Sequence, residues 1–324
     1  MSQAPNIDGV LIQWGDRLFY PSNRIVKTKP QPKLGANAAR ERAAAVRERI
    51  EATVVRRAPQ VMVKVTGGGR GMKAIAAHFR YISKNGRLDI EDERGETMRG
   101  KDTLPELADD WRFGGSLIED VAQPSQRREA FNIMLSMPRG TDPLIVQKAA
   151  REFAQIELAD HKYVMVLHDH QANPHVHISV RAESKHGKRL NPRKADLHRW
   201  RETFAEKLRG HGVEAEATRQ ATRGRTRNFD PLWRMKAEQD GRLRTRRPTT
   251  KRSASTMATR AAAVDAWREI ARALAASGDK SDRDLAHAVG RYVGEMPAVT
   301  GTDRERVSPV PFEPTKQADQ EYQK

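Results

Sequence analysis

The hydrophobic rhythm of the chain changes several times, and the changes divide it. Between Gln60 and about Thr218, short apolar runs alternate with amphipathic stretches, the pattern of a domain mixing strands and helices. VMVKV (Val61 to Val65), AFNIMLSM (Ala130 to Met137), YVMVLH (Tyr163 to His168) and HVHISV (His175 to Val180) read as strands, and VEAEAT (Val213 to Thr218) as a weaker fifth. GMKAIAAHFRYISKNG places Met72, Ile75, Ala76, Phe79 and Ile82 at helical spacing, so that face should pack on the sheet. At about 100° per residue, Tyr81 falls opposite the stripe, beside Ala77, His78, Lys84 and Asn85. A second helix is predicted from Pro143 to Leu158, with Thr141 and Asp142 as cap candidates and proline at its first position. A third runs from about Lys194 to Arg209 and stops at Gly210.

Outside this region the pattern loosens. Residues 1–59 hold a short apolar stretch (GVLIQW), a Lys/Pro linker and a charged helix candidate from Ala36 to Arg57, and they read as an arm. From Arg219 to Arg252 there are twelve Lys and Arg against three Asp and Glu. Such a run reads as a solvated tail that follows a polyanion. TMATRAAAVDAWREIARALAAS and DRDLAHAVGRYVGEM then read as two short amphipathic helices, and the last 25 or so residues as disordered. The expected organisation is an arm (1–59), a central domain (60–224) and a basic, partly helical tail (225–324).

Charge sharpens this picture. A formal charge of +17 points to a polyanionic partner, nucleic acid before an anionic membrane surface. No run of about 18 apolar residues and no signal-peptide pattern occurs, so no membrane span is expected and the cytoplasm is the expected location. Cysteine is absent, which excludes disulfides and thiolate metal sites. Any metal must be held by His, Asp or Glu.

Four of the ten histidines fall in the ten residues His168 to His177, HDHQANPHVH. In HVHISV, His175 and His177 share one face of a strand, and Val176, Ile178 and Val180 the other. Asn173-Pro174 is a turn former, so YVMVLH and HVHISV can pair as a hairpin that brings His168 beside the other two. Three neutral imidazoles there suit one divalent cation, with positions left for water or a phosphate oxygen. Imidazole does not choose the metal: Mn²⁺ or Zn²⁺ fit at least as well as Mg²⁺. The glycine turn TGGGRG, between a strand and a helix, is a candidate for presenting N–H groups to phosphate.

VTGGGRGMKAIAAHFRYISKNG, FNIMLSMPRGTD, HDHQANPHVHISV and GKRLNPRKADLHRWRETFAEKLRGHGVEAEATRQATRG together resemble the relaxase and mobilisation-nuclease family, over about Val61 to Gly224. The most similar branch, among histidine-hydrophobe-histidine endonucleases, contains MobA-type plasmid mobilisation relaxases and the T-DNA border nuclease. The resemblance implies an α+β fold: a central, mostly antiparallel, five-stranded sheet with helices on one face and the histidines on the other. It implies Tyr81 as the nucleophile and His168, His175 and His177 as ligands of one divalent metal, with no nucleotide cofactor. The family often has an acidic residue where this chain has His170, so Asp169, His170 and Asn132 are candidates to support the ligands.

The activity so implied is nicking and rejoining of one DNA strand through a 5′-phosphotyrosyl link, starting conjugative transfer or mobilisation of a plasmid or integrative element. The partners implied are DNA at a transfer origin, single-stranded around the nick, accessory relaxosome proteins and a secretion coupling protein. Export with the attached strand is the corollary. Arg70, Lys73, Arg80, Lys84, Arg181, Lys185, Lys188, Arg189, Arg193 and Lys194 are the DNA-binding candidates. Trp111 and Trp200 could stack on bases, but their helical settings favour core packing. The rival readings are a rolling-circle replication initiator, a non-catalytic DNA-binding accessory protein, and a metallonuclease that uses water in place of Tyr81.

Overall fold

A computed structural model describes residues 6–20, 36–120, 127–225, 237, 240–242 and 254–300. Its centre is a fully antiparallel sheet. The strands are β1 (Met62–Gly67), β2 (Ile90–Asp92), β3 (Thr97–Met98), β4 (Ala130–Ser136), β5 (His161–His168) and β6 (His175–Ser184), in the order β1-β4-β6-β5-β2-β3. The sheet therefore has six strands, not five. VEAEAT is not one of them: it makes a single bridge, Glu216 to Gln60. The added pair, β2 and β3, is only three and two residues long.

Alternation along the strands separates two faces. Val63, Ile133, Leu135, Met165, Val176 and Ile178 point to one side, where α5 (Pro143–Glu157) and α6 (Lys194–Gly210) cover them with Phe153, Trp200 and Phe204. Asp142 caps α5 as expected, accepting from Leu144 N–H at 2.8 Å. The other side carries Val164, Val166 and the histidines. Half of it is also covered by helices, contrary to the one-sided layering expected. The stripe Met72, Ile75, Phe79 and Ile82 of α3 (Met72–Ile82) lies on Val164 and Val166, together with Leu107 and Trp111 of α4 (Thr103–Phe113). An apolar stripe of that width has to be buried, and this half of the sheet offers the matching valines. Phe79 and Trp111 meet edge to face at 4.9 Å, a contact worth about 0.5–1.5 kcal/mol beyond burial. The α3 and α4 layer reaches β4 only at its first residue, Ala130, and stops short of β1, so Met62 and Lys64 stay exposed.

A second apolar cluster lies beside the sheet domain. The segment expected as a loose arm forms α1 (Ile7–Phe19) and α2 (Ala36–Val54), which pack against α7 (Ala254–Ala275) and α8 (Lys280–Gly294); a short α9 (Pro297–Thr300) follows. Leu11, Phe19, Val46 and Ile50 meet Trp267, Leu274 and Val289 there. The turn at 219–225 joins the two clusters. Trp267 Nε1–H donates to Thr222 O at 2.7 Å, Thr222 Oγ1 to Leu18 O at 2.7 Å, and Arg219 to Arg17 O at 2.9 Å. Arg219 thus belongs to the fold. Most of the basic run that follows, and the predicted disordered end at 301–324, lie outside the described residues.

Candidate metal centre and nucleophile

β5 and β6 form the expected hairpin. His168 pairs with His175 and Val166 with His177, so the three imidazoles share one face at the mouth of the turn. Residues 169–174 connect the strands, and the connector is tied to the end of β4. Asn173 Oδ1 accepts from Arg139 N–H at 3.0 Å, and Pro174 O from Met137 N–H at 3.1 Å. His168, His175 and His177 are buried and offer ligand atoms that all lie within 4.8 Å of one another. Their ring centroids are 4.6 to 5.1 Å apart.

Backbone carbonyls decide which nitrogens can bind a metal. His168 Nε2–H donates to Ile82 O at 2.7 Å, which leaves Nδ1 with its lone pair. His175 Nδ1–H donates to Asn173 O at 2.9 Å, which leaves Nε2. His177 Nδ1 is buried with no hydrogen-bond partner among the described residues. Burial, with smaller contributions from the neighbouring imidazoles, pushes His177 down to about 3. Burial also lowers His168, against the opposing effect of its bond to Ile82. Neutral imidazole is the ligand form, and oriented outer nitrogens are the usual support of metal-binding histidines. The residues present fit a divalent cation.

Tyr81 projects from the uncovered side of α3, 66% exposed, while Phe79 and Ile82 on either side of it are fully buried. Its ring lies 6.2 Å from that of His177, edge to face, and 6.0 Å from that of His78, stacked. His78 was not among the residues singled out as candidates. Its signal was in the sequence all the same: it precedes Tyr81 by three positions, on the same face of the helix. Burial lowers it to about 4.

The supporting candidates separate. His170 is exposed, with its ring 5.1 Å from that of His168, and the Asp169 carboxylate acts on His170 electrostatically. Asn132 Oδ1 accepts from Ser179 Oγ at 3.3 Å, further along the sheet than His177. The DNA-binding candidates also split into two groups. Arg70, Lys73, Arg80 and Lys84 lie on the exposed surface of α3 and its flanking turns, and Lys84 is near enough to His168 and His170 to depress both. Arg181 is buried, its guanidinium donating to the carbonyls of Trp111 and Ser116, so it supports the α4 turn rather than a DNA surface. Lys185 pairs with Asp160 and Arg189 with Glu129, Lys188 is exposed, and Arg193 and Lys194 open α6. Lys185 follows the far end of β6, about 25 Å from His177 at roughly 3.3 Å per residue. Trp111 and Trp200 are core residues.

The glycine turn has a different duty from the one expected. Met72 and Lys73 N–H, at the start of α3, already donate to Glu119 and Asp120 carbonyls. A Cβ on Gly68 would lie 2.2 Å from Ala130 O, and one on Gly69 2.3 Å from Ile75 Cγ1. The glycines let the turn press against β4 and α3, and two of the N–H groups that a phosphate would need are taken.

Comparison of the chain with curated proteins gave no match. The relaxase family, in its MobA/VirD2-like nuclease domain, matches residues 81–213. That span opens at Tyr81 and contains the three buried histidines, β4 to β6, α5 and α6. Residues 81–213 are therefore similar to the nuclease domain of the MobA/VirD2-like relaxase family.

Proposed function

We propose that this protein nicks one strand of DNA by transesterification onto Tyr81 and reseals it by the reverse reaction. The observation that carries this reading is the placement of an exposed phenol with its ring 6.2 Å from that of a buried, neutral histidine of a three-imidazole cluster. The phenol oxygen attacks phosphorus, the bond from phosphorus to the 3′ oxygen breaks, and the proton lost by the phenol is balanced by the one gained on the 3′ hydroxyl. One phosphodiester replaces another, so the step needs no nucleotide cofactor and is reversible. A phenol ordinarily titrates near 10 and is a poor nucleophile at neutral pH, so the anion needs stabilisation. A cation held by His168, His175 and His177 would supply it, together with charge withdrawal from the phosphate oxygens.

The residues themselves do the rest. The carbonyls of Ile82 and Asn173 fix two imidazoles in the tautomers that present a lone pair, the α3 stripe anchors the helix that carries Tyr81, and Lys84 adds positive charge beside His168 and His170. Unpaired DNA reaches Tyr81 across the open surface beside α3. Mn²⁺ or Mg²⁺ is the expected occupant of the metal site, with Zn²⁺ the alternative that three imidazoles would also accept. The biological role that follows is mobilisation of a plasmid or integrative element from a transfer origin, with accessory relaxosome proteins and a secretion coupling protein as partners.

The test is covalent capture. Purified protein is incubated with random single-stranded oligonucleotides and Mn²⁺ or Mg²⁺, and adducts are digested and mapped. A phosphotyrosine at position 81 that is absent from Tyr81→Phe supports the proposal. Cleavage without an adduct would establish the water-using nuclease instead, and binding without cleavage the accessory protein.

A further inference from the structure

The rings of His78, Tyr81 and His177 form a nearly equilateral triangle. His78 stacks on Tyr81 at 6.0 Å with planes 28° apart, and the His78 to His177 and Tyr81 to His177 distances are 6.3 and 6.2 Å. Tyr81 needs such support. With two thirds of its surface in solvent, its side chain is held by few neighbours, and an unrestrained phenol would have to be ordered during the reaction. His78 is the neighbour three residues back on the same helix, a spacing that brings side chains together. His78 Nε2 is buried and has no hydrogen-bond partner among the described residues, so that nitrogen gives the ring no bonding duty elsewhere among them. What the imidazole does touch is the nucleophile on one side and a candidate metal ligand on the other.

We propose that His78 is a positioning residue: its ring sets where the Tyr81 phenol lies relative to the histidine cluster. The role rests on Tyr81 being the nucleophile, but the ring packing can be measured without DNA. The requirement is for a flat ring at position 78. His78→Phe preserves that shape, and His78→Ala removes it.

The experiment places fluorotyrosine at position 81 of the full chain and records fluorine relaxation in the wild type and both variants, alongside metal affinity, DNA affinity and the single-turnover rate of adduct formation. His78→Ala should mobilise the fluorotyrosine ring and slow adduct formation at least tenfold, with metal and DNA affinities within twofold of wild type. His78→Phe should restore the ordered ring and most of the rate. An ordered ring in His78→Ala would overturn the proposal. So would loss of metal affinity in parallel with the rate, because His78 would then act on His177 and not on Tyr81. If the wild type forms no adduct on any DNA, the nucleophile assignment fails, while the fluorine measurement still decides whether His78 orders Tyr81.

Discussion

Ile82 O, at the C-terminal end of α3, accepts the Nε2–H of His168 at 2.7 Å. Tyr81 is the residue before it, so the helix that carries the phenol also fixes the tautomer of one histidine in the cluster. Proposed nucleophile and candidate metal ligand are linked through a single backbone carbonyl.

That linkage depends on the turn after the helix. Ser83 Oγ donates to Phe79 O at 2.7 Å and accepts from Gly86 N–H at 3.0 Å, and both Ser83 and Gly86 are buried. Ser83→Ala should cost about 1–3 kcal/mol, because Gly86 N–H is left without that acceptor. The loosened turn should also weaken metal binding, although Ser83 is no ligand. Urea unfolding and a metal titration on the same variant check this; reduced stability with unchanged metal affinity would mean that Ile82 O keeps its place without the serine.

Alanine at His168, His175 or His177 should each abolish metal binding and strand cleavage together. His170→Ala should retain both within a fewfold. His170 lies about as far from His168 as His175 does, but it is exposed and, among the described residues, belongs to no group whose ligand atoms converge. Competition with a metal-sensitive dye reads the affinities. Loss of binding in His170→Ala would place the connector residue among the ligands.

These histidines were legible in the sequence because a strand has period two, and in HVHISV the alternation of His175 and His177 with Val176, Ile178 and Val180 can expose both histidines on one face only. The position of Tyr81 off the helical stripe was legible for the same kind of reason, whereas the role of nucleophile came only with the family resemblance. β2 and β3 were not, since IED and TM are too short to show a period and are held by pairing with β5. VEAEAT has the right alternation, but it spends it on α2: Thr218 meets Thr53, and Glu216 meets Arg49. The union of α1 and α2 with α7 and α8 left no local trace, because it joins segments more than two hundred residues apart. Arg181 follows the alternation onto the histidine face, yet the end of α4 covers it, which no property of β6 alone could indicate.

Stability of the metal-free protein should fall as the solution is acidified. A histidine in the unfolded chain titrates near 6.5, whereas burial lowers His78 to about 4 and His177 to about 3 in the fold. Between these values the unfolded chain takes up protons that the folded chain refuses, so stability present above pH 6.5 is progressively lost toward pH 4. Thermal unfolding in chelator at pH 7.5, 6 and 5 should show the decline. It should be shallower in a His78→Phe, His177→Gln double variant, though not absent, because burial lowers His168 and His198 as well. An identical slope in the double variant would mean that neither histidine is held neutral.

The two groups of basic residues should behave differently toward DNA. Lys73, Arg80 and Lys84 are exposed on α3 and the turn after it, as Tyr81 is, whereas Lys185 and Lys188 lie past the far end of β6. A short single-stranded oligonucleotide centred on the nick reaches only the first group. Changing Lys73, Arg80 and Lys84 to glutamine should weaken its binding and make the plot of log affinity against log salt shallower, by about 0.7 for each phosphate that the variant no longer neutralises. Changing Lys185 and Lys188 should leave this oligonucleotide unaffected and show only with DNA long enough to extend some 25 Å from the site. Arg181→Gln should behave unlike either group. Its guanidinium is enclosed by the carbonyls of Trp111 and Ser116, so the variant should lose folding stability and keep its salt slope. If Lys185 and Lys188 governed binding of the short oligonucleotide, the strand would have to run along β6 away from Tyr81, and the route proposed over α3 would be wrong.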